Sequence, residues 1–255
     1  MAEIFYDDGV HKCVRFDNLA GEGEVQANQF LIIHGDAGVL LDPGGNRMFS
    51  KLSAAMAEYL PPQKLAYIVL THQDPDVGAG LNGYLLITEA TICFPAIWLR
   101  FIPSFCSQSL AEQRVLAVPD EGTRIRFADA ELILLPAHFL HSAGNLQVYD
   151  PASKTLFSGD LGASLLPPDG RYVRVEDFDA HVQYMEAFHQ RYMPSPAVCR
   201  QWAEMVRGLE IERIVPQHGA MFEGREMVDR FIDWVANLDC GVERMIAQGV
   251  YRIPS

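Results

Sequence analysis

Leu65-Ala66-Tyr67-Ile68-Val69-Leu70 runs directly into Thr71-His72-Gln73-Asp74-Pro75-Asp76-Val77-Gly78-Ala79-Gly80. The β-rich apolar run predicts a strand over Ala66–Leu70, and it delivers one imidazole and two carboxylates into the loop beyond its end. Residues two apart face the same way only while the backbone stays extended. Pro75 followed by Val77-Gly78 marks a bend that turns Asp76 toward a different position from His72 and Asp74. One loop can therefore serve two neighbouring metal ions. Working outward, three more ligand-type residues follow strand-like segments: His141 in Leu140-His141-Ser142-Ala143-Gly144-Asn145, Asp160 in Leu156-Phe157-Ser158-Gly159-Asp160, and His218 in Val215-Pro216-Gln217-His218-Gly219.

His72, Asp74, Asp76, His141, Asp160 and His218 together supply three imidazoles and three carboxylates, enough for two metals if one carboxylate is shared. Asp160 is the natural bridge, because two close cations repel and an anionic oxygen between them offsets part of that cost where a neutral imidazole would not. An oxygen-rich set without thiolate suits iron or manganese, with zinc as the second expectation after iron. Any one of these residues alone reads equally well as a satisfied polar group or a turn former. Their combination, each at the end of a strand, is what points to a metal centre.

The rest of the chain alternates strands and helices. Gln29 to His34 and Val39 to Asp42 form a hairpin across Gly35-Asp36-Ala37-Gly38, and Phe49 to Tyr59 has apolar residues at helical spacing before Pro61-Pro62. Strands are expected at Thr91 to Phe94, Arg124 to Phe127, Glu131 to Leu135, Leu146 to Tyr149, Thr155 to Phe157 and Arg213 to Pro216. Helices are expected near Ala96 to Phe101 and over Val175 to Arg191, Ala197 to Arg207 and Arg225 to Leu238; the stretch from Pro103 to Gly122 carries no clear pattern. The pattern predicts an α/β fold with two sheets packed face to face and helices outside, a four-layer αββα sandwich in one domain spanning residues 1–255.

At 255 residues and 49% hydrophobic, the chain can bury a full core. A net charge of −13 excludes a general affinity for nucleic acid or anionic membranes, which needs a cationic surface. The five cysteines are scattered without Cys-x-x-Cys spacing and read as reduced packing residues. With neither a basic, apolar leader nor a run of membrane-spanning length, the expectation is a cytoplasmic protein.

The order His72-x-Asp74-x-Asp76, then His141, then Asp160, then His218-Gly219 resembles the metallo-β-lactamase superfamily, and an acid at the second position resembles its di-iron branch, the flavodiiron proteins. Asp42-Pro43-Gly44 is similar to that superfamily's Asp-x-Gly after the opening hairpin. The resemblance extends over nearly the whole chain and is greatest to the flavin-free oxygen-binding di-iron proteins. It implies the metallo-β-lactamase-like fold and two iron ions, one held by His72, Asp74 and His141 and the other by Asp76 and His218, with Asp160 bridging.

Two departures shape the functional expectation. Val77 stands where flavodiiron proteins carry a further histidine, which makes the second metal ligand-poor and predicts that Val77→His is tolerated. Flavodiiron proteins also continue into a flavodoxin domain. None is expected here, so no flavin is bound by this chain and electrons come from a separate donor. The implied function is binding and reductive activation of dioxygen or peroxide, as a sensor or an oxidoreductase, with a redox or signalling protein as partner and a homodimer allowed. The alternative is a dinuclear hydrolase of an ester, thioester, lactone or phosphodiester, weakened by Asp74 and Val77 at positions where hydrolytic members use histidine. Among neighbouring residues, Asp42 is expected to accept from a ligand imidazole N–H, Tyr184 or His189 to give a proton or hydrogen bond to bound oxygen, and His11 and His34 to be structural.

Overall fold

In the computed structural model, residues 2–17, 19 and 26–254 are described. Among the described residues there are two β-sheets, of seven and six strands, and the chain divides into two compact units, residues 1–136 with 146–153 and residues 137–145 with 154–255.

The first unit opens with β1 (Ala2–Asp7), β2 (His11–Phe16), β3 (Gln29–His34) and β4 (Ala37–Leu41), an antiparallel meander. It then continues in parallel through β5 (Leu65–Val69), β6 (Thr91–Pro95) and β7 (Val115–Val118), giving a sheet in simple sequence order. The switch to parallel pairing needs crossovers. These are α1 (Phe49–Ala57) between β4 and β5, α2 (Pro75–Gly78) and α3 (Leu81–Ile87) between β5 and β6, and α4 (Ile102–Phe105) with α5 (Gln108–Ala111) between β6 and β7. Leu52 and Met56 of α1 and Leu81 and Tyr84 of α3 pack into one core with Leu31, Leu40, Ile68 and Ile92 of the sheet. The unit ends in a second antiparallel meander, β8 (Thr123–Phe127), β9 (Ala130–Pro136) and β10 (Leu146–Asp150).

In the second unit, β11 (Thr155–Gly159) pairs in parallel with β12 (Arg213–Pro216), which pairs antiparallel with β13 (Phe222–Glu223). Between β11 and β12 lie α6 (Phe178–Val182), α7 (Glu186–Tyr192) and α8 (Pro196–Val206); α9 (Arg225–Ala236) and α10 (Gly241–Ala247) follow. Trp202 of α8 and Phe231 and Val235 of α9 are buried, and Phe231 stacks on Phe222 of β13 at 4.3 Å between centroids.

Two expectations change here. Val175 to Arg191 is not one helix: α6 stops at Val182 and α7 restarts at Glu186, because the Tyr184 carbonyl accepts from Leu165 N–H at 3.0 Å instead of continuing the helical ladder. The unpatterned middle holds α4, α5 and β7.

Candidate metal centre

In the first unit the motif starts where β5 ends. Thr71 N–H and Oγ1 both donate to the Asp42 carboxylate, at 2.8 and 3.0 Å, and Thr71 O accepts from Leu146 N–H at 2.8 Å. Asp42 reaches this position from a left-handed backbone, φ 48°, at the end of β4. His72 Nδ1 lies 3.0 Å from Thr71 Oγ1. Since the Thr71 proton goes to the carboxylate, Nδ1 is the donor in that contact, which fixes the tautomer and leaves the Nε2 lone pair for a metal. Asp74 is the extended residue before α2, with Pro75 as the first helical residue, and its Oδ2 is 3.8 Å from His72 Nε2. The bend predicted at Pro75 is thus a single helical turn that carries Asp76 away from the extended run. The turn is seated by Gly44 N–H donating to Val77 O at 3.0 Å and by Gly80, where a Cβ would lie 2.8 Å from Gly44 O.

In the second unit, His141, Asp160 and His218 come together from three separate segments. Asp160 Oδ2 is 2.9 Å from His141 Nε2, and Asp160 Oδ1 is 3.5 Å from His218 Nε2; the three side chains are only 8–10% exposed. One carboxylate thus offers each of its oxygens to a different imidazole. Asn145 shapes the loop bearing His141: its amide donates to Leu140 O, its Oδ1 accepts from Ser142 N–H at 3.1 Å, and its carbonyl accepts from Ala137 N–H at 2.9 Å. Phe188 and Tyr192 of α7 stand edge-on to the His141 ring, with centroids at 6.0 and 5.5 Å. His218 follows β12, and the next residue, Gly219, has φ 85° with no room for a Cβ, which would meet Ser164 Oγ at 1.9 Å.

A family model described as "ODP family beta lactamase" matches residues 25–219. The chain belongs to the ODP beta-lactamase family. Two solved structures of chemotaxis sensor ODP, one of a peroxy diiron species and one of the apo state from T. denticola, are each 36% identical to it. They align with TM-scores of 0.86 and 0.87, over 97% of this chain and 99% and 98% of theirs. A flavo di-iron protein mutant from Thermotoga maritima shares the fold at 18% identity, with a TM-score of 0.76 over 92% of this chain and 60% of that one. An uncharacterized protein of Methanocaldococcus jannaschii is 24% identical over 203 residues, and the chain spans about half the length of this curated relative. The resemblance to the di-iron branch and the metallo-β-lactamase-like α/β class expected from the sequence are therefore borne out.

Around the ODP-family motif residues, His189 differs from expectation. His189 is fully buried; its Nε2 accepts from Gly162 N–H at 2.8 Å and its Nδ1 donates to Met185 O at 2.7 Å, so neither nitrogen has a proton to give a ligand. Burial pushes its pKa down to about 4, which keeps it neutral. It is a brace for the loop that follows Asp160. Tyr184 packs its ring against His181 at 6.2 Å. Asp42 acts on His72 through Thr71, a residue that sequence reasoning missed, although a hydroxyl just before the first histidine was the available signal. Val77 is a fully buried member of the first unit's core, where an imidazole in its place would meet apolar neighbours. His11 and His34 lie in a chain within the first unit: Asp150 Oδ2 to His11 Nε2 at 2.8 Å, His11 Nδ1 to His34 Nδ1 at 3.1 Å, and His34 Nε2 to Asp129 at 2.8 Å.

Proposed function

We propose that this chain is a non-haem di-iron protein that binds dioxygen or peroxide and serves as an oxygen sensor, with electrons for any reductive turnover coming from a separate donor. The observation that carries this reading is Asp160, whose two oxygens each face a different imidazole at 2.9 and 3.5 Å, the disposition a bridging carboxylate needs. The donor set fits iron: it is rich in oxygen, lacks thiolate, and its first histidine is oriented through Nδ1, with Nε2 facing the Asp74 carboxylate. His72, Asp74 and His141 would hold one iron and Asp76 and His218 the other, with Asp160 shared. When bound, a ferrous pair supplies two electrons and open positions for a small oxygen ligand.

The chain's own residues keep that ligand small and the site ordered. Val77 puts buried hydrocarbon where the resemblance implies a further ligand, which would leave the second iron one protein ligand short. Phe188 and Tyr192 flank the His141 ring and limit its orientation. Tyr184, whose carbonyl is tied to Leu165 beyond the Asp160 loop, is the proton or hydrogen-bond source in this reading. The relationship to chemotaxis sensor ODP, 36% identical over 97% of this chain, favours a sensor over a turnover enzyme and a signalling protein as partner.

Anaerobically purified protein loaded with ferrous iron is expected to develop a near-ultraviolet to visible band on exposure to air. A colourless protein that retains zinc and cleaves a generic thioester or phosphodiester would replace this reading with the metallo-hydrolase one.

A further inference from the structure

All five thiols are buried. Cys13 Sγ points at Asp150 Oδ2 at 3.5 Å, Cys106 Sγ at the Ile102 carbonyl at 3.7 Å, and Cys93 lies inside β6, where burial pushes its thiol up to about 12. Cys199 and Cys240 are different: 41 positions apart, they face each other with Sγ atoms 4.0 Å apart. Cys199 is in the first turns of α8, and Cys240 directly precedes α10. The backbone around them is fixed, with Val242 N–H donating to Pro194 O at 2.9 Å. Gly241, φ 74°, passes so close that a Cβ would meet Pro194 O at 2.0 Å. Disulfide formation requires each sulfur to move by only about 1 Å, to reach the S–S length of roughly 2.05 Å.

We infer that Cys199 and Cys240 form an oxidisable dithiol that hydrogen peroxide converts to a disulfide, fastening the start of α8 to the start of α10. The two sulfurs are unequal. Cys199 shares its S–H with Cys240, which holds the Cys240 thiol below its usual range and raises that of Cys199, while Arg200 nearby favours the thiolate. Cys240 thiolate attacks one peroxide oxygen and breaks the O–O bond, forming Cys240 sulfenic acid and hydroxide, which takes up a proton to become water. The Cys199 thiol then loses its proton and its sulfur displaces hydroxide from the Cys240 sulfur, which leaves as a second water. Two thiols and one peroxide thus give one disulfide and two waters. Access comes through α10, a short helix with Val242, Glu243, Ile246 and Ala247 exposed, so little apolar burial opposes its local opening.

Oxidation of the pair does not depend on iron, and its test separates the two readings. Full-length reduced protein, iron-loaded in one arm and treated with chelator in the other, is given hydrogen peroxide, quenched, alkylated in denaturant and mapped by mass spectrometry. Loss of two thiols with a Cys199–Cys240 linked peptide in both arms is expected, with Cys13, Cys93 and Cys106 fully alkylated. Cys199→Ser should leave Cys240 as a sulfenic acid trapped by a cyclic dione, and Cys240→Ser should leave Cys199 a free thiol. Five free thiols after excess peroxide, or losses spread over the other three cysteines without the linked peptide, would overturn it. The unmodified chain alone decides between these outcomes if a variant does not fold.

Discussion

Thr71 sets the orientation of the first ligand histidine, because its hydroxyl proton is committed to Asp42 and its oxygen is left to accept from His72 Nδ1. Thr71→Val keeps the shape and removes the relay. Metal affinity is expected to fall by about tenfold to a hundredfold, with Thr71→Ser close to wild type, as read by competition with a chromophoric chelator. Val77→His places an imidazole in an apolar core position and should lower stability by about 1–3 kcal/mol in denaturant unfolding of the metal-free protein. His181 carries a pH dependence. Burial pushes its pKa down from 6.5 to about 4, so below pH 6.5 the unfolded chain binds a proton that the folded chain does not. Its contribution is fully present above pH 6.5 and is lost as pH falls toward 4, at up to about 1.4 kcal/mol per pH unit. His181→Gln should flatten that slope by one histidine's share in pH-dependent unfolding measurements.

At the scale of elements, α7 supports two ligand segments of the second unit, meeting the His141 ring through Phe188 and Tyr192 and the Asp160 loop through His189 and Gly162. His189→Leu keeps the bulk and removes the acceptor for Gly162 N–H. It should leave the helical content of the far-ultraviolet spectrum intact while weakening metal retention at least tenfold, and an unchanged metal affinity would mean that the brace is dispensable. Legibility from sequence follows the same division. Runs such as Gln29–His34, Ala66–Leu70 and Arg213–Pro216 could be read because apolar residues lie between turn formers, and the ligands could be placed because each follows such a run. β2 could not, since His11 and Arg15 interrupt its apolar pattern yet are buried, paired with Asp150 and Asp17. Nor could the break between α6 and α7, or the bracing role of His189, because both depend on residues nineteen or more positions away along the chain.

Across the whole molecule, an acidic chain with a net charge of −13 carries the three histidines and three aspartates expected as ligands in segments that follow strands. No helix among the described residues is long and apolar enough to cross a membrane. The proposed di-iron reading requires the His72/Asp74/Asp76 set of one unit and the His141/Asp160/His218 set of the other to act as a single donor set, which makes metal binding a property of the entire chain. The most direct test is the iron content of anaerobically loaded protein after gel filtration, compared between wild type and Asp160→Ala. The account predicts close to two iron atoms per chain in the wild type and loss of most of them in Asp160→Ala with the fold retained. Equal iron content in the two proteins would contradict it.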